Sequence, residues 1–151
     1  MLETGQPAPR FTLTAHDGSQ VSLADFRGKK VVLYFYPKAD TPGCTTQACA
    51  IRDNWGPIEA GDAIVLGISP DEPPALVKFR DKYSLPFPLL SDPDHAVASA
   101  YGAWGAKQMY GKAYEGIIRS HFGIDASGNL IDVSINVKPE TTADLALKLI
   151  L

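Results

Sequence analysis

Two runs along the chain, residues 31–36 (VVLYFY) and 63–68 (AIVLGI), are apolar throughout instead of at every second position. Their length suits strands, and a strand hydrophobic on both faces belongs at the centre of a sheet that is covered on both sides. Before them, FTLTA (11–15) and QVSL (20–23) flank Asp17-Gly18, which predicts an N-terminal β-hairpin. A helix should start near Pro42 and run toward Trp55, where Gly56-Pro57 break or bend it. A second helix is expected over 73–83, with Leu76, Val77, Phe79 and Tyr83 mostly on one face. Residues 87–90 suggest a short strand and 94–101 a short helix. SHFGID (120–125) and LIDVSINV (130–137) flank Ala126-Ser127-Gly128-Asn129 and should pair antiparallel. A closing helix is expected over 139–150, with Pro139 or Thr141 near its start. Strands alternating with helices, followed by a hairpin and a last helix, predict an α/β fold with a central mixed sheet flanked by helices. With no internal repeat, low-complexity tract or linker, residues 1–151 read as one domain.

Charge and cysteine content narrow the class. The formal charge is −3, with Lys and Arg scattered, which disfavours nucleic acid or an anionic membrane as partner. No stretch approaches the roughly 18 apolar residues of a membrane span. The start, MLETGQPAPRFTL, lacks the pattern of a signal peptide, so the expected location is cytoplasmic. Two cysteines are too few for a disulfide scaffold. In a reducing compartment a close pair is more often catalytic or redox-active.

The pair lies in the most informative stretch, Tyr36-Pro37-Lys38-Ala39-Asp40-Thr41-Pro42-Gly43-Cys44-Thr45-Thr46-Gln47-Ala48-Cys49. Thr41 has the features of an N-cap, and Pro42 suits the first helical position because its missing N–H would have lacked a partner anyway. Cys44 then falls in the first turn, near N3. A sulfur there meets free backbone N–H groups and the positive end of the helix dipole, both of which favour a thiolate. The same position predicts a solvent-accessible sulfur open to oxidation. An arbitrary cysteine is usually a small buried residue; the helix start and a second cysteine five residues on point elsewhere. In an ideal helix that spacing puts the two Cα atoms about 8.6 Å apart, whereas a disulfide tolerates at most about 6.8 Å. Either the two cysteines never pair, or the first turns unwind so that they can. Gly43, Thr45 and Thr46 are poor helix formers, which makes unwinding plausible.

Other chemistry-bearing residues are read more plainly. His16, His95 and His121 lack ligand-like spacing, and two cysteines do not complete a zinc set, so no metal is expected. Trp55, Trp104, Tyr101 and Tyr110 are assigned to core or rim packing. Gly102, Gly105 and Gly111 lack the strand–turn–helix context of a phosphate loop.

The string Pro37-x-x-x-Thr41-x-x-Cys44 resembles the active-site signature of the peroxiredoxins, and YPKADTPGCTTQAC is similar to their Q-type subgroup, the bacterioferritin comigratory proteins. The resemblance extends through Gly5–Phe11, Gly67–Asp71, Leu89–Asp92 and Tyr101–Gly105 to Arg119-Ser120-His121-Phe122-Gly123-Ile124-Asp125. It implies a thioredoxin-like fold and a thiol peroxidase that needs no cofactor. By the same resemblance Cys44 is the peroxidatic nucleophile and Cys49 the resolving cysteine. Arg119 is the arginine beside the sulfur, Thr41 the hydroxyl that bonds thiolate and peroxide, and Pro37 the shield against water. The implied partners are a hydroperoxide and a dithiol reductant, thioredoxin or a glutaredoxin, and the implied state is a monomer. Gln47 departs from the pattern, since many relatives carry Glu there, which leaves charge pairing with Arg119 in question. A thioredoxin-like disulfide reductase would place two residues between its cysteines, not four. A redox-regulated sensor or chaperone is the non-enzymatic alternative, separated from an enzyme by catalytic turnover.

Overall fold

A computed structural model describes residues 1–150. The strands are β1 (Thr12–Ala15), β2 (Gln20–Ser22), β3 (Lys30–Phe35), β4 (Ala63–Ser69), β5 (Leu89–Ser91), β6 (Trp104–Met109), β7 (Lys112–Ile117), β8 (Ser120–Ile124) and β9 (Leu130–Ser134). The α-helices are α1 (Pro42–Asp53), α2 (Trp55–Ala60), α3 (Pro73–Tyr83), α4 (Ala96–Ala100) and α5 (Thr141–Leu149). Seven strands form one mixed sheet in the order β2-β1-β5-β4-β3-β8-β9. β3, β4 and β5 run parallel, and the remaining pairings in it are antiparallel. This is the architecture of the thioredoxin fold, with the predicted hairpin β1–β2 at one edge.

The apolar run 31–36 is continuous because β3 lies in the middle and is covered on both faces. Val31, Leu33 and Phe35 enter one core with Phe11, Leu66, Tyr101 and Phe122. Val32, Tyr34 and Tyr36 enter the other, with Cys44, Ala48 and Ile51 of α1, Leu76 and Phe79 of α3, and Ala143 and Ala146 of α5. Alternation along the strand assigns the side chains to the two layers. The candidate cysteine thus belongs to the layer built by the helices and not to the rim.

Two expectations need correction. The break after α1 falls at Asn54, and Gly56-Pro57 lie inside α2 instead of ending a helix. Pro57 has no N–H to give the Asp53 carbonyl, so α1 cannot continue through it. As third residue of a new helix, however, it occupies a turn whose N–H groups need no internal partner. The second concerns residues 104–117, for which no strands were expected. β6 and β7 form a separate antiparallel hairpin closed by Tyr110 and Gly111, with φ of 52° and 77°. Two successive positive φ values are what a two-residue hairpin turn requires.

Candidate active site

The site begins where β3 ends. Tyr36 still donates its N–H to the Ile68 carbonyl (3.0 Å), after which the chain leaves the sheet at Pro37. The loop that follows is anchored at both flanks. The Ala39 N–H donates to Asp71 Oδ2 (2.7 Å), an oxygen that also accepts from Ser69 Oγ (2.8 Å) at the end of β4. Asp40 takes a left-handed φ of 61°. Its carboxylate receives Lys82 Nζ (2.9 Å) and the Tyr83 hydroxyl (2.8 Å) from α3, contacts that hold its pKa below the usual carboxylate value.

Thr41 occupies the N-cap position with extended backbone (φ −91°, ψ 158°). Its side chain does not cap the helix: the hydroxyl donates back to the Lys38 carbonyl at 2.7 Å. The first bond of the helical ladder runs from the Thr45 N–H to the Thr41 carbonyl (2.8 Å). The N–H groups of Gly43 and Cys44 therefore precede the ladder, where the helix dipole is most positive.

Cys44 is third in α1, but it is only 1% exposed. The expectation of a solvent-accessible sulfur does not hold, because α1 turns this residue down onto Tyr34 and Tyr36 and the Arg119 guanidinium lies against it. Arg119 Nη1 and Nη2 each donate to Cys44 Sγ at 3.5 Å. Arg119 sits in the short link between β7 and β8, where its carbonyl accepts from the Val137 N–H (2.8 Å). Its Nη1 also donates to Gln47 Oε1 at 2.6 Å. Gln47, one turn after Cys44, is fully buried and passes the contact on: its Nε2 donates to Thr142 Oγ1 of α5 (2.9 Å), which lies 2.9 Å from His121 Nδ1 of β8. The neutral Gln47 amide thus forms no ion pair with Arg119 but bridges it to α5.

Cys49 lies in the third turn of α1, half-buried, and both cysteines are free thiols. The helix between them is intact, so the separation expected from ideal geometry applies. Tyr34 is buried nearby with no hydrogen-bond partner for its hydroxyl; burial pushes its pKa far up, and it stays a neutral phenol. Pro37 and Arg119 line one cavity of about 500 Å³ together with Lys107, Ile118, Ile135 and Val137. Lys107 donates to the Ile117 carbonyl (2.7 Å), and its pKa is lowered by burial and by the Arg119 charge. Another cavity, about 450 Å³ among Pro7, Arg10, Arg27 and Asp125, lies at the opposite end of β3 from the cysteines.

The structure thus brings four of the five candidate residues, Cys44, Cys49, Thr41 and Pro37, onto one loop–helix segment, and carries Arg119 to the sulfur from 75 positions away. Sequence reasoning did not find the parts played by Thr142 and His121. The inward spacing of Thr142, Ala143, Leu145 and Ala146 was the one signal, and it reads as core. Among the described residues no group of three or more His, Cys, Asp or Glu side chains could hold a metal ion, and no helix is long and apolar enough to cross a membrane.

Comparison with known proteins gives one picture. The AhpC/TSA family model matches residues 4–133. Peroxiredoxin Bcp of Escherichia coli K12 is 48% identical over 146 residues, covering 97% of this chain and 94% of that protein. Peroxiredoxin Q of Xanthomonas campestris superposes with a TM-score of 0.86 at 34% identity, covering 93% of this chain and 89% of that one. A structure of the bacterioferritin comigratory protein of the same organism, described by its alkyl peroxide reduction activity, gives a TM-score of 0.88 at 31% identity, with 98% and 97% covered.

Proposed function

The chain belongs to the AhpC/TSA family and is a thiol peroxidase of the peroxiredoxin kind; from that premise we propose that Cys44 attacks the peroxide, Cys49 resolves the product, and Arg119, Thr41 and Pro37 complete the site. The observation that carries this reading is the double contact of Arg119 with Cys44 Sγ. A guanidinium is charged at any working pH. Two N–H donors converge on one sulfur beside the free N–H groups of a helix start, an arrangement that suits a sulfur nucleophile.

The thiolate attacks the terminal oxygen of a hydroperoxide. The S–O bond forms as the O–O bond breaks, the electron pair leaves on the distal oxygen, and a proton converts that oxygen to water or an alcohol. Charge developing on the leaving oxygen meets donors already in place, Arg119 and the N–H groups that precede the ladder. The Thr41 hydroxyl already donates to the Lys38 carbonyl. Its oxygen lone pairs are therefore the part of it free to accept a hydrogen bond from the peroxide O–H. Pro37, which presents no N–H, flanks the cavity through which the peroxide would approach.

The product, a sulfenic acid on Cys44, then condenses with the Cys49 thiol, releasing water and forming a disulfide. The helix between them has to unwind for this, and a bond that holds part of a helix open is readily reduced. The reductant in this reading is an external dithiol, thioredoxin or a glutaredoxin, and pairing within one helix lets a monomer complete the cycle. Cys44→Ser should abolish peroxide consumption, and retained turnover refutes the assignment. Cys49→Ser should consume one equivalent and stall with thioredoxin as donor; normal cycling shows that Cys49 is not the resolver.

A further inference from the structure

The hydrogen bonds behind Arg119 have a direction that can be worked out from donor and acceptor chemistry. A guanidinium can only donate, so the Gln47 amide must turn its oxygen toward Arg119 Nη1 (2.6 Å) and its nitrogen toward Thr142 (2.9 Å). Thr142 Oγ1 accepts from that nitrogen, which leaves its own hydrogen for the neighbour at 2.9 Å, His121 Nδ1. The Thr142 hydroxyl has no other acceptor among the hydrogen bonds of the described residues, which assigns this nitrogen as the unprotonated acceptor, with the ring hydrogen on Nε2, the side facing Asp132 Oδ2 at 4.0 Å. The donors all run one way, from Arg119 through Gln47 and Thr142 to His121. Aligned donors polarise and strengthen one another, and Gln47 and Thr142 are fully buried, so no water competes along the line.

The geometry points to Thr142 and His121 as positioning residues for the peroxidase site, holding the Gln47 amide in the one orientation that fixes the Arg119 fork against Cys44. This rests on Cys44 being the reacting sulfur. A flipped amide would present its NH₂ to the guanidinium, donor against donor, and release the fork. Neutral His121 prevents the flip by taking up the Thr142 hydrogen, leaving that oxygen as an acceptor that only the amide nitrogen can satisfy. The groups facing His121 are few. From β9 comes the Asp132 carboxylate, from β3 the cross-strand Tyr34 phenol, which stays neutral, and from α5 the uncharged Thr142. Burial lowers the His121 pKa, consistent with the acceptor role, and acid would convert Nδ1 to a donor and remove the terminus of the line.

The test is the rate at which hydrogen peroxide oxidises reduced Cys44 in the full chain, followed by stopped-flow fluorescence with mass spectrometry of the product. Thr142→Val keeps the shape and removes the hydroxyl; it should slow oxidation about fivefold, the worth of one net hydrogen bond, and Thr142→Ser should restore the rate. His121→Leu should slow it similarly. His121→Asn, whose Oδ1 stands where Nδ1 does, should restore it near neutral pH and flatten the loss of rate on acidification. Valine and leucine variants that oxidise at the wild-type rate overturn the inference. If Thr142→Val does not fold, equal rates for the leucine and asparagine variants overturn it. Peroxide consumption by the wild type without modification of Cys44 instead overturns the assignment underneath, and the positioning role falls with it.

Discussion

Replacing Gly43 with alanine would set a methyl carbon 2.9 Å from Arg119 Nη2, 3.6 Å from its Cζ and 3.7 Å from Pro139 Cγ. The last two are ordinary contacts, so the strain falls on Nη2, one of the two donors to Cys44 Sγ. Arg119 is held at Nη1 by Gln47, so the guanidinium should pivot and Nη2 retreat by about 0.6 Å to reach normal packing distance. A charge pair stretched from 3.5 Å to about 4.1 Å loses about 0.7 kcal/mol at an effective dielectric near 20. Weakening one of two N–H···S bonds adds about as much again. The sum corresponds to about tenfold slower oxidation of Cys44. The helix itself should not suffer, because alanine is a better helix former than glycine by up to about 1 kcal/mol. Stopped-flow oxidation by hydrogen peroxide, paired with thermal unfolding, separates the two effects. Oxidation at the wild-type rate refutes the role given to the Arg119 contact. A matching fall in stability refutes the argument that only the fork moves.

Three further outcomes follow from the packing of Tyr34, the burial of His121 and the intact helix between the cysteines. Gly67→Ala would drive a carbon to 2.8 Å from the ring of Tyr34, its partner across β3 and β4, which is fully buried and has nowhere to go; urea unfolding should show a loss of about 1–3 kcal/mol, and an unchanged midpoint contradicts the packing described. His121 has its folded pKa lowered by burial, so its contribution to stability is whole above the unfolded value near 6.5 and is lost as pH falls through that value toward the folded one. Tm against pH should therefore drop more steeply below about 6.5 for the wild type than for His121→Asn, and parallel curves contradict this. Formation of the Cys44–Cys49 disulfide should raise hydrogen exchange of amides around residues 44–49 over the reduced state; equal protection in both states shows that no unwinding accompanies pairing.

Much of the site was legible because it is local. A strand end, a threonine, a proline and a cysteine within eight residues specify a helix start, and the spacing of Cys44 and Cys49 follows from helix geometry alone. Arg119 is different: nothing in its neighbourhood distinguishes it from a surface arginine, and only resemblance singled it out. Gln47 was read as a departure in charge, but its work is to bridge two elements. The β6–β7 hairpin went unseen because Trp104–Met109 and Lys112–Ile117 carry no sustained apolar alternation, and Tyr110-Gly111 is not a strong turn signal. Its stability comes from strand pairing and from docking Trp104 and Ile117 against the core.

The amino-acid sequence by itself determined the two-sided central strands, the start of α1 at Pro42 and the distance that keeps Cys44 and Cys49 apart while that helix stands, since each depends only on neighbours along the chain. The tertiary structure alone decided that Cys44 is buried, that Arg119 Nη1 and Nη2 reach its sulfur, and that Gln47, Thr142 and His121 line up behind them. Those contacts join α1, α5, β8 and the link that precedes β8 over separations of 21 to 95 residues. Their partners are selected by which faces pack together, a property that no local pattern of residues carries.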